Sequence, residues 1–137
     1  MKVVIDTNCL LVALSRKSKY NWLIQSLVNH EFNICLTTEI LNEYEEIIGK
    51  YFSTSVAEPF YELLVSAKNV EKMNVSFKLG LIENDPDDNK FVDCGFAANV
   101  DYIVTNDNDY NILKSIDFPK INIISLEDFG ELLKNKI

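Results

Sequence analysis

The sequence predicts an α/β fold, with a central, mostly parallel sheet of about five strands covered by helices on both faces. Short runs rich in Val and Ile alternate with longer helical stretches along the chain, the pattern of strands joined by crossover helices. Apolar residues make up 47% of the sequence, enough for a sizeable core, and the charged fraction of 25% is ordinary. Four Gly and three Pro are too few for a loop-rich or disordered chain. A length of 137 residues suits a single domain over 1–137.

The elements follow in order. Strands are expected at 2–6, 32–37, 102–106 and 121–124, with a weaker candidate at 71–78, where Met73, Val75 and Phe77 alternate with polar residues. Helices are expected at 8–15, 20–30, 38–51, 56–69, 87–100, 108–115 and 126–136. In helix 38–51, Ile40, Leu41, Tyr44, Ile47, Ile48 and Tyr51 form one apolar stripe. At about 100° per residue, Glu43 and Glu45 border opposite edges of that stripe, while Glu39 and Glu46 lie on the wet face. Periodicity does not choose between Glu43 and Glu45. Helix 87–100 is apolar at nearly every angle, the mark of a helix buried in the middle of a domain. Asp88 and Asp93 are conspicuous within it.

Composition narrows the function. A net charge of −8 argues against broad electrostatic binding of nucleic acid by the bare protein. Cys9, Cys35 and Cys94 form no CxxC pair and sit in apolar segments, so buried thiols in a reducing cytoplasm are the plain reading. No apolar run reaches the roughly 18 residues of a membrane span, and the start shows no secretory signal pattern. No GxxxxGK[ST] or GxGxxG occurs. The single histidine, His30, ends a helical stretch and suits a surface or helix-dipole role. Asp85/Asp87/Asn89 and Asp107/Asp109/Asn111 imitate the start of a calcium loop. The required Gly is replaced by Lys90 or Ile112, and the required Glu by Phe96 or Phe118.

What remains is a set of acids at strand ends and helix edges. Asp6 ends Val3-Val4-Ile5, and Asp107 follows Tyr102-Ile103-Val104-Thr105. In open parallel sheets, ligands gather outside the carboxyl ends of the strands. Asp88 follows Asp85-Pro86-Asp87, where Asp85 suits an N-cap and Pro86 the first helical position. Carboxylates brought together are costly unless a cation or proton shares the site, so the set suggests a divalent-metal site.

These residues resemble the PIN-domain ribonucleases. Val3-Val4-Ile5-Asp6-Thr7-Asn8 matches the opening strand and its DTN sequence, and Thr38-Glu39-Ile40-Leu41-Asn42-Glu43-Tyr44 resembles the helix bearing the second acid, favouring Glu43. Asp85 to Phe91 with Asp93 resembles the third acidic block, and Ile103-Val104-Thr105-Asn106-Asp107 the last strand and its acid, with Asn106 where Gly is common. The subgroup resembled is that of VapC-like toxins of toxin–antitoxin systems.

The resemblance implies a three-layer α/β/α sandwich and a Mg²⁺- or Mn²⁺-dependent endoribonuclease. Asp6, Glu43, Asp88 and Asp107 would be its catalytic acids and metal ligands, with Asp93 a candidate fifth. Asn8 and Thr105 would orient the carboxylates. It also implies a cytoplasmic protein with an antitoxin partner, and allows a homodimer. Arg16, Lys17 and Lys19 form the only tight basic cluster and are candidate RNA contacts, and Tyr20 and Trp22 are candidates for base stacking. The competing readings are a non-cleaving PIN-like binding module, a metal-dependent DNA nuclease and a dehalogenase-type phosphatase. The last expects an acid two positions after Asp6, where Asn8 stands.

Overall fold

The computed structural model describes residues 1–15 and 17–135. Strand β1 spans Lys2–Ile5 and leads directly into helix α1, Thr7–Leu14, followed by α2, Trp22–Val28. Next come β2 (Asn33–Leu36), α3 (Thr38–Tyr51), α4 (Thr54–Ser66) and β3 (Val70–Lys72). A 3₁₀ turn, Pro86–Asp88, runs into α5 (Asn89–Ala98), then β4 (Tyr102–Val104). A 3₁₀ run, Asn108–Ser115, precedes β5 (Ile123–Ile124) and α6 (Leu126–Lys134).

All strand pairs are parallel, in the order β3-β2-β1-β4-β5. The expected α/β/α sandwich around a five-stranded sheet is what forms. From β1 the chain builds outward to β2 and β3, then crosses back to β4 and β5. The order therefore switches between β1 and β4, where such sheets open a crevice at their carboxyl ends. Val3, Val4, Ile5, Ile34, Cys35, Leu36, Ile103 and Val104 are buried, as strands covered on both faces require. Phe129 of α6 packs edge-on against Phe32 and tilted against Trp22, while α3 and α5 meet through Tyr44 and Phe91. Gly130 is needed there, because a Cβ would lie 2.8 Å from the Trp22 ring. The three cysteines are free and buried, and no helix among the described residues is long and apolar enough to cross a membrane.

Several boundaries differ from expectation. The alternation at 71–78 yields a strand only at Val70–Lys72, because its one neighbour, β2, has just four residues to pair with. Beyond it the chain is irregular, pinned by the Asn89 side chain, which donates to the Ile82 carbonyl and accepts from its N–H, both at 2.9 Å. Helix 108–115 is 3₁₀ rather than α. The α3 stripe ends a turn early, with Tyr51 exposed and Lys50 over its ring. Phe96, on the helix expected to be buried all round, is 38% exposed and packs edge-on against Phe77. His30 is exposed just past α2, with a left-handed backbone (φ 58°).

Candidate functional site

Asp6 follows β1 at the switch point and is buried. It occupies the N-cap position of α1, yet its side chain makes no capping bond. Instead Oδ2 accepts from the Thr105 hydroxyl at 2.9 Å. That hydroxyl also accepts from the Asp107 N–H at 3.0 Å, so Thr105 ties the end of β1 to the turn after β4. The backbone enforces the same pairing, for the Asp6 N–H donates to the Val104 carbonyl at 3.0 Å. Burial chiefly pushes the Asp6 carboxyl up, aided by Asp107 and Glu43, while Thr105 and the Asn8 N–H act against it. Asn8 thus acts on Asp6 through its backbone, and its side chain is exposed.

Asp88 closes the 3₁₀ turn before α5 and is 9% exposed. Its Oδ2 is buried without a hydrogen-bond partner. Burial, then Asp6, Asp85 and Asp107, push its carboxyl up to about 7. The nearby Tyr110 phenol acts the other way, although its own buried oxygen also lacks a partner in hydrogen-bonding geometry. Asp85, Asp88, Asp107 and Asp109 each bring a carboxylate oxygen within 4.8 Å of the others. Two capping turns make this group: Asp85 accepts from the Asp87 N–H at 3.2 Å, and Asp107 from the Asp109 N–H at 2.9 Å. Asp85 fits its expected capping role and also faces Asp88. Asp109 joins through its place one step into the second turn. The two false calcium loops are these two turns, set face to face.

Glu43 is half-buried on α3, whereas Glu45 is exposed. One Glu43 oxygen accepts from the Thr7 hydroxyl, and the other pairs with Lys90 at 2.7 Å. Lys90 also meets the Asp87 carboxylate at 3.1 Å and its carbonyl at 2.9 Å. Beside Glu43, the Tyr44 hydroxyl donates to the Ile5 carbonyl and fastens α3 to the end of β1. Asn106, in the place where the resemblance leads one to expect Gly, accepts from the Leu126 N–H at 3.0 Å and so seats the start of α6.

Asp93 and the candidate RNA contacts lie elsewhere. Asp93 is buried but accepts from the Leu79 N–H at 3.1 Å, with Lys78 and Glu39 as its charged neighbours. It lines a cleft of about 500 Å³ beside the acids, with Thr38, Glu39, Met73 and Lys78, and has none of Asp6, Asp88 and Asp107 among its charged neighbours. Lys19 lies over the Tyr20 ring at 5.0 Å in a groove between α2 and α6 that Glu31, Glu127 and Glu131 also line. Trp22 there is a packing residue. Lys17 is exposed, and Arg16 lies outside the described residues.

Thr7, Lys90, Tyr110, Asp85 and Asp109 escaped the sequence reading as parts of the site. The available signal was adjacency: each lies within three residues of a predicted acid.

A comparison with curated proteins gives no match. Two solved structures share the fold. VapBC2 from Rickettsia felis, crystallised with a DNA fragment from its promoter, aligns at a TM-score of 0.59 and 16% identity, covering 91% of this chain and 98% of that one. VapC20 from Mycobacterium tuberculosis, a toxin that cleaves the sarcin–ricin loop, aligns at 0.59 and 10% identity, covering 88% and 98%. The PIN domain family model matches residues 2–109, from β1 through the Asp107–Asp109 turn. The strand-end acids and the switch-point crevice thus fall inside the matched segment, and the chain belongs to the PIN domain family.

Proposed function

We propose that this chain, as one domain, is a divalent-metal-dependent endoribonuclease and the toxin of a toxin–antitoxin pair. The observation that carries the reading is the gathering of Asp6, Asp88 and Asp107 at the switch point, with a buried Asp88 oxygen left unpartnered. A group of carboxylate oxygens with no ion-pair partner among the described residues fits Mg²⁺ or Mn²⁺, hard ions that prefer oxygen donors. Asp6 and Asp88 would hold the ion directly or through water, with Glu43 and Asp107 completing the site. Such an ion lowers the pKa of a bound water and stabilises charge on phosphate oxygens.

The chain's own contribution is arrangement. Thr105 holds Asp6 and the Asp107 turn at a fixed separation. Asp85 and Asp109 deepen the negative field where the cation would sit. Lys17, exposed beyond α1, is assigned to RNA phosphates. The likeness to VapBC2 supports an antitoxin partner and the likeness to VapC20 supports RNA as substrate. Residence in the cytoplasm and assembly as a homodimer belong to the same reading.

The decisive experiment incubates labelled RNA and single-stranded DNA with Mg²⁺ or Mn²⁺, beside Asp6→Asn and Asp88→Asn. Cleavage of RNA by the parent alone is expected. Cleavage of DNA instead would make it a DNA nuclease, and no cleavage with intact metal binding would make it a binding module. Cleavage that survives both substitutions would sink the mechanism.

A further inference from the structure

We infer that Lys90 is a positioning residue, a resident cation that fixes Glu43 and keeps it from ligating the metal directly. The divalent ion then sits on the Asp88–Asp107 side. This rests on the endoribonuclease reading above.

An ammonium group has three N–H donors. Those of Lys90 find Glu43 Oε1 at 2.7 Å, Asp87 Oδ1 at 3.1 Å and the Asp87 carbonyl at 2.9 Å. Its side chain is only 9% exposed. No donor remains for a substrate phosphate, so the obvious role for a lysine beside a nuclease site is closed. Both Glu43 oxygens are held as well, one by Lys90 and the other by the Thr7 hydroxyl. Thr7 lies at the start of α1, one residue after Asp6, and Lys90 lies two residues after Asp88. Glu43 is thus clamped between the neighbours of the two principal acids.

The remaining acids contrast with it. Among the described residues, Asp6, Asp85, Asp88, Asp107 and Asp109 have no ion-pair partner. Lys90 already neutralises the Glu43 half, and the other half keeps its mutual repulsion. A divalent cation gains most where that repulsion is unrelieved.

Titration calorimetry with MnCl₂ tests the division, using Lys90→Met/Glu43→Gln. This pair removes one charge of each sign and replaces a buried ion pair by neutral side chains, an exchange that folds often tolerate. The expected result is a Kd within about threefold of the parent, a kcat at least tenfold lower, and loss of binding in Asp88→Asn. A larger loss of affinity in the double variant makes Glu43 a direct ligand and overturns the inference. An unchanged kcat overturns the positioning role. Circular dichroism reports folding. Should the double variant not fold, Lys90→Met alone decides. Freed Glu43 and the lost positive charge should tighten Mn²⁺ binding by about tenfold, and an unchanged or weaker Kd overturns the inference. Lys90→Arg should retain the parent's Kd and most of its kcat. No Mn²⁺ binding by the parent would remove the endoribonuclease reading as well, which distinguishes the two failures.

Discussion

Asp88 and Asp93 lie five residues apart, both buried, and burial is the main force raising both carboxyls. Their surroundings differ. Asp93 receives a backbone N–H from Leu79 and has Lys78 nearby. Asp88 has an unpartnered oxygen and faces Asp6, Asp85 and Asp107. One is an acid whose bonds close the fold, and the other is an acid whose environment is incomplete. Burial therefore does not identify a site residue here. Unmet bonding beside like charge is what places Asp88 in the proposed site.

The largest separation of the two is expected in catalysis. Asp88→Asn should lower RNA cleavage by about a hundredfold or more, whereas Asp93→Asn should stay within about threefold in a labelled-RNA assay with Mn²⁺. Metal binding comes next. Mn²⁺ at about a hundred times its Kd should stabilise the parent by about 2.7 kcal/mol, read as a rise in Tm that Asp88→Asn cancels and Asp93→Asn preserves. Stability alone should invert the ranking: Asp93→Ala strands the Leu79 N–H and should cost about 1–3 kcal/mol in urea unfolding.

The pH response is smaller. Asp88 titrates near 7 in the folded chain against an ordinary value of 3.8. The folded state therefore binds the proton more tightly between those values. Its contribution to stability is present below the ordinary value and is lost as pH rises through about 7. The metal-free protein should lose Tm from pH 5 to pH 8, and Asp88→Asn should flatten that slope. Mn²⁺ affinity should rise over the same interval, since the ligand must be deprotonated. The smallest effect is expected at Lys17→Ala, a severalfold loss of RNA affinity with a salt slope reduced by about one.

The sheet was legible in the sequence because apolar runs and helical periods are local signals, and strand-end acids follow from parallel topology. Asp6 and Asp107 were legible for the same reason, and Asp88 through the resemblance of its acidic block. Asp85 was read as a cap, which it is, but capping does not say what the other side of the turn faces. Asp109 and Lys90 depended on contacts across 24 and 47 residues of sequence, to Asp85 and Glu43, which no period reports. The 3₁₀ run at Asn108–Ser115 was not separable from an α-helix, because eight residues span too few turns to distinguish periods of 3.0 and 3.6. Asp93 was singled out as an acid in an apolar helix, but its partner, Leu79, lies in an irregular stretch just past the segment expected as a strand.

The pairing of Ile5 with Val104 has one more consequence. The spacing of Asp6 from the Asp107 turn is inherited from the hydrogen-bond pitch of β1 against β4 and does not depend on which side chains fill the helices. Drift in α2, α4 or α6 can accumulate as lost stability while the acids keep their distances. A one-residue slip of β1 would instead turn Asp6 to the opposite face at once. Tolerance to mutation should thus be graded by element, broad across the outer helices and abrupt at two short strands.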